Sequence, residues 1–277
     1  MMKSGCRLKP APVWFGTFHL ILLLIPFHMS AQSQFLWPGG AKAAVCLTYD
    51  DGLDCHLDVA APALEAHGFR GTFYATGNSP SLYHRLEEWR GMAARGHELG
   101  NHTLFHPCHA EGYDWVKPEY DLDRYTPAQL ISELQTANSL LKAVDGLEER
   151  TFAYTCTHTT IAGISFVDSI RRMFPAARGG GALPENMRQI DLHDVPSWGV
   201  VDPTGDELIA YVDQALEHGT VGVFMFHSVG GGYLNVSAEA HDQLLEYLDR
   251  NRDRIWTDTF LNVMRYVKGG QGAEPLP

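Results

Sequence analysis

Positive charge is scarce in this chain of 277 residues: 21 Lys and Arg stand against 33 Asp and Glu, a formal net charge of −12. The basic footprint of a nucleic-acid binder is missing, and polyanionic partners are disfavoured unless a local patch overrides the balance. The chain has no internal repeat, no low-complexity tract and no linker, so it reads as one domain over about residues 35–270 after any leader. None of its 5 cysteines forms a C-x-x-C pair, which argues against a Cys-based zinc site or a thioredoxin-type redox site. The longest apolar run, about residues 13–27, is too short for a comfortable transmembrane helix, and Pro26 and His28 interrupt it. What is present is 45% hydrophobic and 11% aromatic. At this length that suits a core burying roughly three quarters of the unfolded surface.

The apolar run does have a meaning in its order. Lys3, Arg7 and Lys9 precede it, and the small residues Ser30 and Ala31 follow. Basic, apolar and small-residue regions in that succession make a secretory signal peptide over residues 1–31, cleaved near Ala31. The expectation is a secreted or periplasmic protein without stable membrane insertion once the signal is removed. In an oxidising compartment the remaining Cys46, Cys55, Cys108 and Cys156 can pair. Cys46, inside an apolar strand, reads as a small buried hydrophobe. A bridge among the other three is open, and the sequence does not set its pairing.

Short apolar runs ending in Gly, Asp, Asn or His recur at 43–48, 71–76, 98–101, 151–154, 189–192 and 221–226. Helical patterns lie between them at 57–67, 81–95, 126–144, 161–173, 208–218 and 238–251. In the clearest of these, Thr126 caps, Pro127 suits the first turn and Gln129 completes a capping box, a spacing that Thr204 and Glu207 repeat. Alternation on this scale predicts an α/β fold with a parallel sheet covered by helices. Sites in such folds form at the carboxyl ends of the strands.

Three such ends carry candidate chemistry. Thr48-Tyr49-Asp50-Asp51-Gly52 sets two carboxylates side by side before a residue that permits a sharp turn. On an extended segment the two point apart, so one could hold a cation while the other takes a proton; an ordinary surface turn reads the same way. Gly100-Asn101-His102-Thr103-Leu104-Phe105-His106 spaces two imidazoles four apart, as on one face of a helical turn. With a carboxylate such as Asp51 they would make a two-His, one-Asp site with positions left for water and substrate. Phe224-Met225-Phe226-His227 ends a strongly apolar strand ahead of Gly230-Gly231-Gly232, where His227 is well placed as a general acid; a satisfied histidine in a strand cap reads the same way.

These motifs, in this order, resemble the polysaccharide deacetylases, metal-dependent carbohydrate esterases that include chitin, peptidoglycan and chitooligosaccharide deacetylases. The family pattern T-[FY]-D-D-G is matched by Thr48 to Gly52, H-[ST]-x-x-H by His102, Thr103 and His106, and the closing Leu-x-His by a variant ending in Phe226-His227. Gly71-Thr72-Phe73-Tyr74 and Gly96-His97-Glu98-Leu99-Gly100-Asn101 agree as well, and the likeness runs over about residues 43–266. The resemblance implies an α/β, distorted (β/α)7-type barrel of parallel strands in a single domain. It implies that Asp51, His102 and His106 bind a divalent metal, usually zinc, that Asp50 is the general base and that His227 is the general acid. The partner implied is an acetylated carbohydrate.

Two family motifs are altered. The third, normally Arg-x-Pro with an Arg that pairs with the base, is matched by Phe152-Ala153-Tyr154-Thr155-Cys156-Thr157, with Ala153 in the Arg place. The partner of Asp50 must come from elsewhere or be absent, while the Cys156 N–H is a candidate donor to the oxyanion. The fourth supplies an Asp and a Trp that orient the acid; the stretch from Asp191 to Trp198 has those ingredients at unfamiliar spacing, with Asp194 favoured over Asp191 as the partner of His227. The aromatics Tyr113, Trp115, Tyr120 and Tyr125, like Trp198, could line a sugar groove or pack into the domain. Three activities fit: an N-deacetylase of acetamido sugars, an O-acetyl esterase on xylan or a similar polymer, or a silent carbohydrate-binding homologue, the last suggested by the missing Arg.

Overall fold

The first strand, β1 (Ala43–Asp50), is buried along its whole length, as a continuous apolar run covered on both faces should be. The structure, a computed structural model, describes residues 35–271; the expected signal peptide lies outside the described residues. Alternation along β1 divides its side chains. Val45, Leu47 and Tyr49 pack with Leu64, Trp89, Leu208 and Leu244 of the helical layer, whereas Ala44 and Cys46 pack inward with Tyr74, Val223 and Phe260. The same period of two places Thr48 and Asp50 on the inward face.

The other strands are β2 (Thr72–Ala75), β3 (Glu98–Asn101), β4 (Phe152–Ala153), the antiparallel hairpin β5 (Thr160–Ile161) and β6 (Ile164–Ser165), β7 (Ala177–Arg178), β8 (Trp198–Gly199), β9 (Val221–Phe226) and β10 (Ile255–Thr257). The main sheet runs β7-β4-β3-β2-β1-β9-β8, with β10 beside the start of β1, and all its ladders are parallel. It closes on itself through one short joint. Val195 N donates to Ala177 O at 3.0 Å, Gly179 N to Val195 O at 2.8 Å and Gly181 N to Ser197 O at 3.1 Å. Immediately afterwards Trp198 pairs with Phe224 of β9. The result is the distorted barrel expected of the (β/α)7 type.

Helices α1 (Ala61–Ala66), α2 (Pro80–His84), α3 (Leu86–Ala94), α4 (Pro127–Asp145), α5 (Val167–Met173), α6 (Gly205–His218), α7 (Ala238–Arg250) and α8 (Phe260–Gln271) accompany the strands. Both capping boxes form, on α4 and α6, and both helices end at a left-handed glycine, Gly146 or Gly219. Among the described residues no helix is long and apolar enough to cross a membrane.

Three sequence expectations change. Residues 189–192 are irregular: Leu192 O accepts from Ala177 N, so the segment runs beside β7 without a ladder of its own. The helix read at 161–173 starts only at Val167, because Ala162 and Gly163, with φ of 45° and 78°, turn the hairpin β5–β6. The helix read at 81–95 breaks at Arg85, whose φ of −123° and ψ of 33° end α2 before α3 begins.

Candidate active site

Asp50 ends β1 facing into the barrel, and Asp51 follows with φ of 78°. Aspartate tolerates that left-handed conformation better than most residues, and Gly52, at φ of 66°, continues the turn. The Asp51 N–H is held by Tyr74 O at 2.9 Å. An extended chain would have sent the two carboxylates apart; this turn brings both to one imidazole. His102 Nε2 lies 3.5 Å from Asp51 Oδ1 and 3.8 Å from Asp50 Oδ2.

The histidine pair is not helical, contrary to the expectation. Thr103 and His106 have φ of 63° and 55°, and side chains substitute for helix hydrogen bonds in an irregular turn. Thr103 N donates to Asn101 Oδ1 at 2.8 Å and His106 N to Thr103 Oγ1 at 2.9 Å. Leu104 N and Phe105 N both donate to the buried Glu133 Oε1, at 3.0 and 2.9 Å. The two imidazoles meet edge to face with centroids 4.9 Å apart.

Asp51, His102 and His106 present ligand atoms that could hold one metal ion. Asp51 Oδ1 is 3.4 Å from His106 Nε2, and it is buried with no hydrogen-bond partner. His102 Nδ1–H donates to Ala153 O at 2.9 Å, which fixes the tautomer and leaves the Nε2 lone pair facing Asp51. A carboxylate oxygen and two imidazole nitrogens are a donor set suited to a catalytic divalent ion such as zinc.

Electrostatics follow from burial and from this crowding. Burial pushes Asp51 up, but the close approach of His102 and the charges of His102, His106 and His227 outweigh it and hold the carboxyl well below its usual range. Burial pushes His106 down to about 4, helped by the charge of His102. Burial pushes His102 down too, but Asp50 and Asp51 overcome it and leave the imidazole raised.

Asp50, the expected base, does have an arginine, from a strand the motif did not indicate. Arg178, at the end of β7, donates from Nη2 to Asp50 Oδ2, and its Nη1 donates to Ser197 Oγ at 3.1 Å. Both charged partners are buried, and the guanidinium lies over the Tyr74 ring, 5.2 Å from its centroid. Arg178 thus stands where the Ala153 position cannot. The sequence signal was an Arg at a strand end followed by Gly179-Gly180-Gly181.

His227 follows β9, its backbone carbonyl accepting from His56 Nε2 at 3.0 Å. Its Nε2 lies 3.9 Å from Asp51 Oδ2. Burial lowers its pKa, and the charges of Asp50 and Asp51 offset part of that shift. Asp194 is not brought to it: His227 Nδ1 is buried without a partner, and the Asp194 carboxylate lies against Gly179. Asp191 pairs instead with Arg171 at the surface. Trp198 also turns away, because on β8 it packs on the outer face against Tyr211 of α6 and Phe224 of β9, with centroids 5.2 and 5.9 Å away. Tyr233, which sequence reasoning missed, donates its hydroxyl to Asp51 Oδ2.

These groups share a cavity of about 770 Å³ with Tyr113, Trp115, Tyr154, Cys156, Met225 and Leu234. Of the four aromatics in the loop after His106, Tyr113 and Trp115 therefore reach the cavity. Tyr120 stacks on Phe105 and Tyr125 donates to Glu133 elsewhere. Cys156 forms a disulfide with Cys108, tying that loop to the one after β4, while Cys46 and Cys55 are free. Cys156 and Thr157 have φ of 51° and 58°. With Asp51, Thr103 and His106 they make a concentration of backbone strain at one mouth of the barrel, as functional sites commonly show.

A parallel-strand barrel thus carries two carboxylates and three histidines at the carboxyl ends of its strands. Residues 39–160 match the family model described as polysaccharide deacetylase, the family that the motifs resemble. A chitooligosaccharide deacetylase from Bradyrhizobium sp. is 34% identical over 36% of this chain and 39% of its own length. A gellan lyase from Bacillus sp. is 25% identical over 83% of this chain, which spans 10% of that protein. The chain thus covers well under half of either relative. In fold it is similar to a family 4 acetyl xylan esterase from Clostridium thermocellum solved with a cobalt ion, with a TM-score of 0.54, 18% identity, and coverage of 82% of this chain and 92% of that one.

Proposed function

We propose that the protein is a secreted, zinc-dependent deacetylase that releases acetate from N-acetylated sugars, with its catalytic domain over residues 35–270. The observation that carries this reading is the placing of Asp50 and His227 on either side of the Asp51–His102–His106 group, with Arg178 restoring the charge partner that Ala153 lacks. A restored Arg also weighs against a silent homologue. The disulfide Cys108–Cys156 supports an oxidising compartment.

A divalent ion held by Asp51, His102 and His106 would supply Lewis acidity to the acetyl carbonyl and lower the pKa of the attacking water. Asp50, oriented by Arg178, takes the proton of that water as it attacks. Cys156, strained and in the cavity wall, offers its N–H toward the developing oxyanion. His227, whose protonated form Asp50 and Asp51 favour against the burial that lowers its pKa, protonates the departing nitrogen. Amide and ester share the attack step, so the test needs both. Acetate release is measured from an N-acetyl-chitooligosaccharide and an O-acetylated xylan, after chelation, with and without zinc, beside Asp50→Asn. Zinc-restored release that the variant loses is the expected result, with the amide preferred. A preference for xylan would instead make the protein an esterase, and zinc binding without release from either would sink the enzyme reading.

A further inference from the structure

We propose that Trp115 and Tyr233 form the two sides of an aromatic clamp over Asp51, and that the clamp selects an uncharged acetylated sugar chain; this rests on the deacetylase reading above. The two oxygens of Asp51 face different walls. Oδ1 faces His102 and His106, and Trp115 flanks His106 with ring centroids 5.9 Å apart. Oδ2 faces Tyr233 and His227, whose rings are 5.8 Å apart. Trp115 and Tyr233 are 54% and 51% exposed as residues and both line the cavity beside the reacting groups.

Neither ring is there by loose packing. The Trp115 loop is tied at its base by the disulfide, by Cys108 N to Tyr120 O at 3.1 Å and by Leu122 N to Cys108 O at 3.0 Å. Tyr233 is folded back over Asp51 by Gly230, Gly231 and Gly232, with φ of 84°, 135° and 125°, a path that L side chains rarely follow. A Cβ on Gly232 would also stand 2.4 Å from Ser228 Oγ. Gly231 N donates to Asn235 Oδ1 at 2.7 Å and Gly230 N to Val236 O at 2.9 Å, closing the turn.

The chemistry of the walls names the occupant. Aromatic faces carry negative quadrupole charge and attract the weakly positive C–H face of a pyranose. The wall continues through Tyr113, Tyr154, Met225 and Leu234 with the small polar Thr76, Cys156 and Thr157, and among the described residues no Lys or Arg lines the cavity. Apart from the one divalent ion, which the reacting acetyl group would engage, a sugar carboxylate pressed between the rings would lose water and meet no countercharge; a neutral ring loses little.

The test uses the full-length protein loaded with zinc and three substrates: a neutral N-acetyl-chitooligosaccharide, the same oligomer with neighbouring sugars oxidised to uronates, and a small aryl acetate. Trp115→Ala and Tyr233→Ala should each lower the ratio of neutral-oligomer to aryl-acetate kcat/KM about tenfold, through KM. Tyr233→Phe, which keeps the ring, should preserve that ratio. The wild type should favour the neutral oligomer over the oxidised one by about tenfold or more. Equal losses on oligomer and aryl acetate, or equal use of both oligomers, would overturn the clamp. Calorimetric binding of the neutral oligomer separates the two readings. Binding that Trp115→Ala weakens, with no acetate released from any substrate, keeps the clamp and sinks the deacetylase; no binding at all sinks the clamp.

Discussion

Two buried carboxylates lie on neighbouring parts of the barrel and live differently. Glu98, at the start of β3, is fully provided for. Its Oε1 accepts from Thr151 N at 3.0 Å and Thr151 Oγ1 at 2.6 Å, and its Oε2 from Thr72 Oγ1 at 2.8 Å and Leu261 N at 2.9 Å. Those donors come from β2, from the lead into β4 and from α8, so one side chain ties three elements at the amino ends of the strands. Asp51, at the carboxyl end of β1, leaves Oδ1 buried without a donor and sits on a left-handed backbone. A complete set of partners makes a buried charge a structural tie; an incomplete one costs stability and is kept for what it can bind.

Five substitutions or conditions can break that contrast. Asp50→Asn should lower acetate release by about 10²- to 10⁴-fold, the usual worth of a general base, while circular dichroism still shows the folded state. Arg178→Met should destabilise by about 3–5 kcal/mol in a denaturant titration, because Asp50 is left as an unpaired buried charge, and should lose activity alongside. If Arg178→Lys restored full activity, orientation by the guanidinium fork would be unnecessary.

Acidification comes next. Burial holds His56, His97 and His241 neutral down to about pH 4, whereas the unfolded chain binds those protons near pH ~6.5. The unfolded state therefore carries more protons between those limits. Stability should fall by several kcal/mol as pH drops from about 6.5 to about 4, read as a falling midpoint in urea. Smallest is Glu98→Gln, which should cost about 1–3 kcal/mol of stability through mismatched donors and leave kcat on the acetylated oligomer near that of the parent. A large kcat loss there would erase the distinction between the two carboxylates.

How much of this was legible follows from how local each signal is. Asp50, Asp51, His102 and His106 sit in contiguous motifs, and the structure brings them together with His227. The strand β1 and the helices α4 and α6 announced themselves by an apolar run and by capping boxes. Arg178 could not be assigned to Asp50 from spacing, since the pair is 128 residues apart and β7 is two residues long, too short for a period of two to register. The opposed directions expected of Asp50 and Asp51 failed because backbone sign, not alternation, decides at a left-handed residue. For α8 the signal was available: Phe260, Val263, Met264 and Val267 recur at helical spacing and fill the inner core.

The closing joint of the barrel has a consequence for how the protein fails. Ser197 sits in that joint, donating to Gly179 O at 2.6 Å while accepting from Arg178, which in turn grips Asp50. The thinnest seam of the cylinder and the alignment of the proposed proton acceptor, Asp50, are therefore one structure. Warming that parts the seam disarms the protein while most of its helices and strands persist, so activity should vanish several degrees before the circular dichroism signal does.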